Sequence, residues 1–106
     1  MITAEFFKKL ETYFGFQIKG HADYSNGGND IVCASVSSAV QLTVNTITEC
    51  FGTKADVKVL KDKIQLKLSH SDEKAEKMLE GLLLHLTMLS EDYEGTIKVK
   101  ITILEV

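Results

Sequence analysis

Residues 31–51 read IVCASVSSAVQLTVNTITECF, and the reading of this stretch decides the fold. Val32, Ser35/Val36, Ala39/Val40, Thr43 and Ile47 recur at three- and four-residue spacing and line one side of a helix. Asp30 stands before the run as an N-cap, and Gly52 follows it as a C′ residue. Ala34, Ser35, Ser37, Ser38 and Ala39 are small and permit close packing. The many β-branched residues lower helix propensity, so burial must hold this helix. Upstream, residues 21–30 (HADYSNGGND) are the one clear loop, with Asn26-Gly27-Gly28-Asn29 its freest stretch.

Working outward, residues 2–9 and 13–20 alternate as strands. Ile2, Ala4 and Phe6 share one face, as do Phe14, Phe16 and Ile18, with Gly15, Gln17 and Lys19 opposite. A helix over residues 4–14 is the competing reading, because Phe6, Phe7, Leu10, Tyr13 and Phe14 also fit helical spacing. Residues 57–60 and 63–68 flank Lys61-Asp62 and suggest a hairpin. A second helix covers 72–92 with Ser71 as its cap, and Ala75, Met78/Leu79, Leu82/Leu83, Leu86 and Leu89 form its buried face. Leu84 and Met88 fall off that stripe, a hint of a partner surface. Residues 96–104 (TIKVKITIL) alternate strictly, with Ile97, Val99, Ile101 and Ile103 on one face. The order β-β-α-β-β-α-β implies an α+β fold: two helices packed on a mostly antiparallel sheet.

The chain of 106 residues is 44% hydrophobic and fits a single domain spanning 1–106, large enough for a core without staples. Net charge is −3, and every basic residue is Lys. The absence of Arg and of a net basic balance argues against direct nucleic-acid binding. There is no run of 18 apolar residues, so no membrane span is expected. No signal-peptide pattern opens the sequence, and a cytoplasmic location is the expectation. Cys33 and Cys50, on one helix and roughly 25 Å apart, read as free thiols. No metal-ligand spacing and no phosphate loop occur, so no cofactor is expected.

The stretch Gly20-His21-Ala22, the loop, and Asp30-Ile31-Val32-Cys33 can carry chemistry. As the third residue after an Asp30 cap, Cys33 would sit where unpaired N–H groups and the helix dipole favour a thiolate, the nucleophilic form. The same N–H groups could receive an oxyanion, a contribution of about 3–4 kcal/mol per donor. A loop of this length can bring His21, at a strand end, against the helix start. There it would serve as base and then as acid to the leaving amine. Asp30 either caps the helix or orients the imidazole. Ser37, one turn after Cys33, lies on the same face. Gly27-Gly28 suits a lid. The bland alternatives are a buried Cys and a surface His. Cys50, at the electronegative helix end, reads as packing, and His70 and His85 as structural or surface residues.

The block from Gly20 to Ser37, including Tyr24, with Asn45 in the first helix and Tyr93 after the second, resembles the ribosomal-processing cysteine protease (Prp) family. The turn Lys9–Tyr13 departs from the Gly or acidic turn common there. The resemblance implies a cytoplasmic, homodimeric endopeptidase that removes the N-terminal extension of a large-subunit ribosomal protein. It assigns Cys33 and His21 as the catalytic pair and Gly20, Asp30 and Ser37 as supporting positions. The loop with Asn26, Gly27 and Gly28 would reorder over a bound peptide carrying a bulky apolar residue before the cut. The competing readings are a non-catalytic ribosome-associated binding protein and a redox or metal-sensing thiol domain. The lack of a second nearby Cys weighs against the latter.

Overall fold

The computed structural model describes residues 1–20 and 28–104, and of residues 28–30 the backbone alone. The elements are β1 (Ile2–Lys9), β2 (Thr12–Lys19), α1 (Gly28–Asn45), which continues into a π-helical turn (Thr46–Cys50), β3 (Ala55–Leu60), β4 (Lys63–Leu68), α2 (Glu73–Asp92) and β5 (Ile97–Leu104). This is the β-β-α-β-β-α-β order the sequence implied, and the helical reading of residues 4–14 is overturned. The five strands form one sheet in the order β3-β4-β2-β1-β5. Three neighbour pairs are antiparallel, and β1 and β5 are parallel.

Both helices cover one face of the sheet. Ile2, Ala4 and Phe6 of β1, Phe16 and Ile18 of β2 and Leu66 of β4 form a single core with Val32, Val36, Val40 and Ile47 from the first helical segment and Ala75, Leu79, Leu82 and Leu86 from α2. The apolar stripes read from helical spacing are therefore the buried ones. By length and composition Ile31–Cys50 could cross a bilayer, with a mean hydropathy of 1.3. Here its valine stripe lies in the core, while Ser37, Ser38, Gln41, Asn45 and Glu49 are exposed.

Four boundary details differ from the sequence reading. Phe14 does not share the core face with Phe16. The register slips between Phe7 and Lys8, so that Phe7 faces Gly15, Lys8 faces Tyr13, and Phe14 is the extra residue of a bulge. Tyr13 consequently turns inward, its ring edge-on to Phe6 at 6.5 Å, and Phe14 joins Phe7 on the opposite face at 6.1 Å. The cap of α2 is Asp72, not Ser71: its carboxylate accepts from the Ala75 N–H at 3.2 Å, and Glu76 reaches back to the Asp72 N–H at 3.1 Å. α1 begins at Gly28, so Gly28 and Asn29 are helical rather than part of the loop, and Asp30 is the third residue of the helix rather than the residue outside it. Cys50 is exposed, not packed, because the widened π-helical turn ends the helix there. Gly52, with φ 66°, does close the segment as expected.

Candidate active site

Each sequence-selected position has a definite place, except those in residues 21–27. His21, Asn26 and Gly27 lie outside the described residues. Gly28 and Asp30 lie in the first turn of α1. Cys33, Ser37 and Gly20 line one open groove of about 480 Å³ between α1, the end of β2 and the β3–β4 hairpin.

The helix sets the spacing. Asp30, Cys33 and Ser37 fall at three- and four-residue intervals and therefore on one face. Cys33 is half-buried and free, and Ser37 is exposed, accepting a hydrogen bond from Gln41 Nε2 at 3.1 Å. The earlier start of α1 shifts the electrostatic argument. The unpaired N–H groups belong to the turn opening at Gly28, and the Cys33 N–H stands inside the helical ladder. Helical side chains lean toward the N-terminus, so the Cys33 sulfur leans toward that first turn.

Gly20 closes the groove at the sheet end. Its φ is 88°, and a Cβ there would stand 2.5 Å from the Met1 carbonyl oxygen. Its N–H donates to the Asp62 carbonyl at 3.1 Å, tying the end of β2 to the β3–β4 turn. Only glycine fits both the left-handed backbone and this approach.

The hairpin wall is the part that the sequence reading missed. Val59, Leu60 and Lys61–Ile64 line the groove opposite Val36 and Val40. The available signal was the apolar Val59-Leu60 pair at the hairpin end, now exposed at 72% and 59%. His70 and His85 are exposed surface residues. Among the described residues, no group of three or more His, Cys, Asp or Glu is placed to hold a metal.

The family described as cysteine protease Prp matches residues 1–98. The chain belongs to that family. It is a cysteine protease. A curated relative, the ribosomal processing cysteine protease Prp of Bacillus subtilis (strain 168), is 25% identical over 96 residues, covering 84% of this chain and 86% of the relative. The crystal structure of SMU.848 from Streptococcus mutans superposes with a TM-score of 0.87 at 28% identity, over 98% of this chain and 99% of that one. The ribosomal processing protease Prp from S. aureus, solved with a covalently linked product peptide, gives the same TM-score at 24% identity, over 96% and 100% of the two chains. The Prp fold thus spans the described residues, with one cysteine, Cys33, in the groove.

Proposed function

We propose that this Prp-family protease cleaves the N-terminal extension from a large-subunit ribosomal protein, with Cys33 as nucleophile and His21 as its proton partner. The observation that carries the reading is the groove shared by Cys33, Ser37 and Gly20, the residue to which His21 is joined. Cys33 Sγ attacks the scissile carbonyl carbon while the thiol proton passes to the His21 imidazole. The carbon–nitrogen bond then breaks, His21 protonates the departing amine, and a thioester remains. Water, deprotonated by His21, adds to the thioester and releases the acid and the thiol. Free N–H groups of the first turn of α1 receive the oxyanion. Asp30 and Ser37 are supporting residues on the Cys33 face, Gly28 opens the helix, and Asn26 and Gly27 belong to the segment before it that admits the peptide.

The substrate class rests on the name of the Bacillus subtilis relative, a ribosomal processing protease. The apolar lining (Ile18, Val36, Val40, Val59, Leu60, Ile64) suits a bulky apolar side chain next to the cut. The protein acts in the cytoplasm as a homodimer. Leu84 and Met88 on α2 and Ile103 on β5, exposed at 62%, 56% and 65%, supply apolar surface for a second copy.

The test is incubation with a peptide that copies the precursor's N-terminal extension, with the cut located by mass spectrometry. Cys33→Ala should abolish cleavage with an unchanged melting temperature. His21→Ala should reduce kcat by about 10²-fold or more. Cleavage that survives Cys33→Ala would remove the nucleophile assignment.

A further inference from the structure

The sheet face turned away from the helices carries an arrangement that lies apart from Cys33 and meets its groove only at the hairpin end, where Leu60 and Lys63 line it. Strand pairing fixes three rows across it. The first runs Leu60, Lys63, Lys19, Thr3, Lys98. The second runs Lys58, Gln65, Gln17, Glu5, Lys100. The third runs Asp56, Lys67, Gly15, Phe7, Thr102. Six lysines thus stand against two carboxylates on a chain whose net charge is −3. One of the two carboxylates is already engaged, since Glu5 accepts from the Thr102 hydroxyl at 2.5 Å and lies 4.0 Å from Lys100 Nζ. Lys19 and Lys63 are direct cross-strand partners, a like-charge pairing that costs stability unless an anion relieves it.

Beside the lysines lies an aromatic pair. Phe7 and Phe14 are half-buried, outside the core cluster, with ring centroids 6.1 Å apart and planes 32° from parallel. Lys67 Nζ lies 5.3 Å from the Phe7 centroid. The bulge is what turns Phe14 onto this face. Strands sit about 4.8 Å apart and same-face residues about 6.8 Å apart along a strand, so the lysines form a lattice of cations around two rings. A second copy of this face would be repelled by it. An acidic protein would match the charge but leave the rings unused, and a bilayer would call for several protruding apolar side chains, where these three rows offer Leu60 alone, at one corner.

We propose that this face binds single-stranded RNA, with the lysines on phosphates, the Phe7–Phe14 pair as a stacking surface, and Gln17, Gln65 and Thr3 within reach of 2′-hydroxyls. The absence of Arg removes bidentate guanine readout, so binding is tolerant of sequence. Net charge argued against a nucleic-acid partner. The segregation of charge onto one face is what that sum conceals.

Fluorescence anisotropy of a labelled oligouridylate of about twelve nucleotides, with the intact protein at about 50 to 200 mM salt, tests this. Affinity should fall with salt, with a log–log slope of about −0.7 per phosphate contacted. The Lys58→Gln/Lys98→Gln double variant should bind about tenfold more weakly with a slope shallower by about 1.4, while peptide cleavage and melting temperature stay unchanged. Phe7→Leu should weaken binding by about tenfold through lost stacking. Cys33→Ala should bind RNA as the parent does, which separates this result from the protease assignment. The proposal is overturned by no binding at about 50 mM salt, by an unaffected lysine double variant, or by equal affinity for oligothymidylate, polyglutamate or phosphatidylserine vesicles.

Discussion

Two residues in the left-handed backbone region show how much depends on the presence or absence of a single Cβ. Gly20 holds φ 88° with no room for a Cβ beside the Met1 carbonyl. Gly20→Ala should therefore destabilise the protein by about 2 kcal/mol or more in urea denaturation, and should cost activity by shifting the end of β2 away from Asp62. An unchanged midpoint would show that the β1–β2 edge relaxes freely. Leu10 is the converse, a leucine at φ 56° in the exposed β1–β2 turn. Leu10→Gly should raise stability by about 1 kcal/mol, read from the same denaturation midpoint. The sequence alone marked Gly20 as a motif position but gave no reason for it. The reason is a contact with residue 1, remote along the chain. The departure of Lys9–Tyr13 from a Gly or acidic turn was legible, and its consequence is the strained Leu10.

At the scale of elements, helix starts were the least legible feature. Asp30 and Ser71 each looked like caps, and both helices begin elsewhere. For α2 the choice falls to Asp72 because its second carboxylate oxygen also accepts from the Thr53 hydroxyl at 2.8 Å, which stitches the end of the first helical segment to the start of the second helix. That tertiary partner is invisible in the local pattern. The Thr53 hydrogen bond, then the Ala75 N–H, hold the Asp72 carboxyl below its ordinary value, against the opposing effect of desolvation. A carboxylate depressed in the folded state stabilises above its unfolded pKa, near 3.9. That stabilisation disappears as pH falls through the lower folded value. Asp72→Asn, which retains a capping side chain, should flatten the acid limb of the stability–pH curve between about pH 5 and pH 2. An acid limb identical to the parent's would mean other carboxylates carry it. The interior of each element was far more legible. The Val32–Val36–Val40–Ile47 and Ala75–Leu79–Leu82–Leu86 stripes follow from 3.6-residue geometry alone.

At the scale of the whole molecule, charge is unevenly divided between layers: six of the twelve lysines stand in the rows of the open sheet face, while on α2 the carboxylates Glu73, Glu76, Glu80, Glu91 and Asp92 outnumber Lys74 and Lys77. Repulsion between Lys19 and Lys63 should make Lys19→Glu stabilising by about 0.2–1 kcal/mol at low salt, a gain that shrinks at high salt as the charges are screened. Melting curves at two ionic strengths check it, and a gain independent of salt would exclude a charge origin. The sequence by itself determined the element order, the α+β class and the buried faces of both helices, and it singled out Cys33, because these depend on periodicity and local residue chemistry. The tertiary structure alone decided that β5 runs parallel beside β1, that the β3–β4 hairpin walls the Cys33 groove, that a bulge moves Phe14 to the outer face, and that the lysines gather there. Strand order and register join residues far apart along the chain, and no local pattern encodes which distant strands will pair.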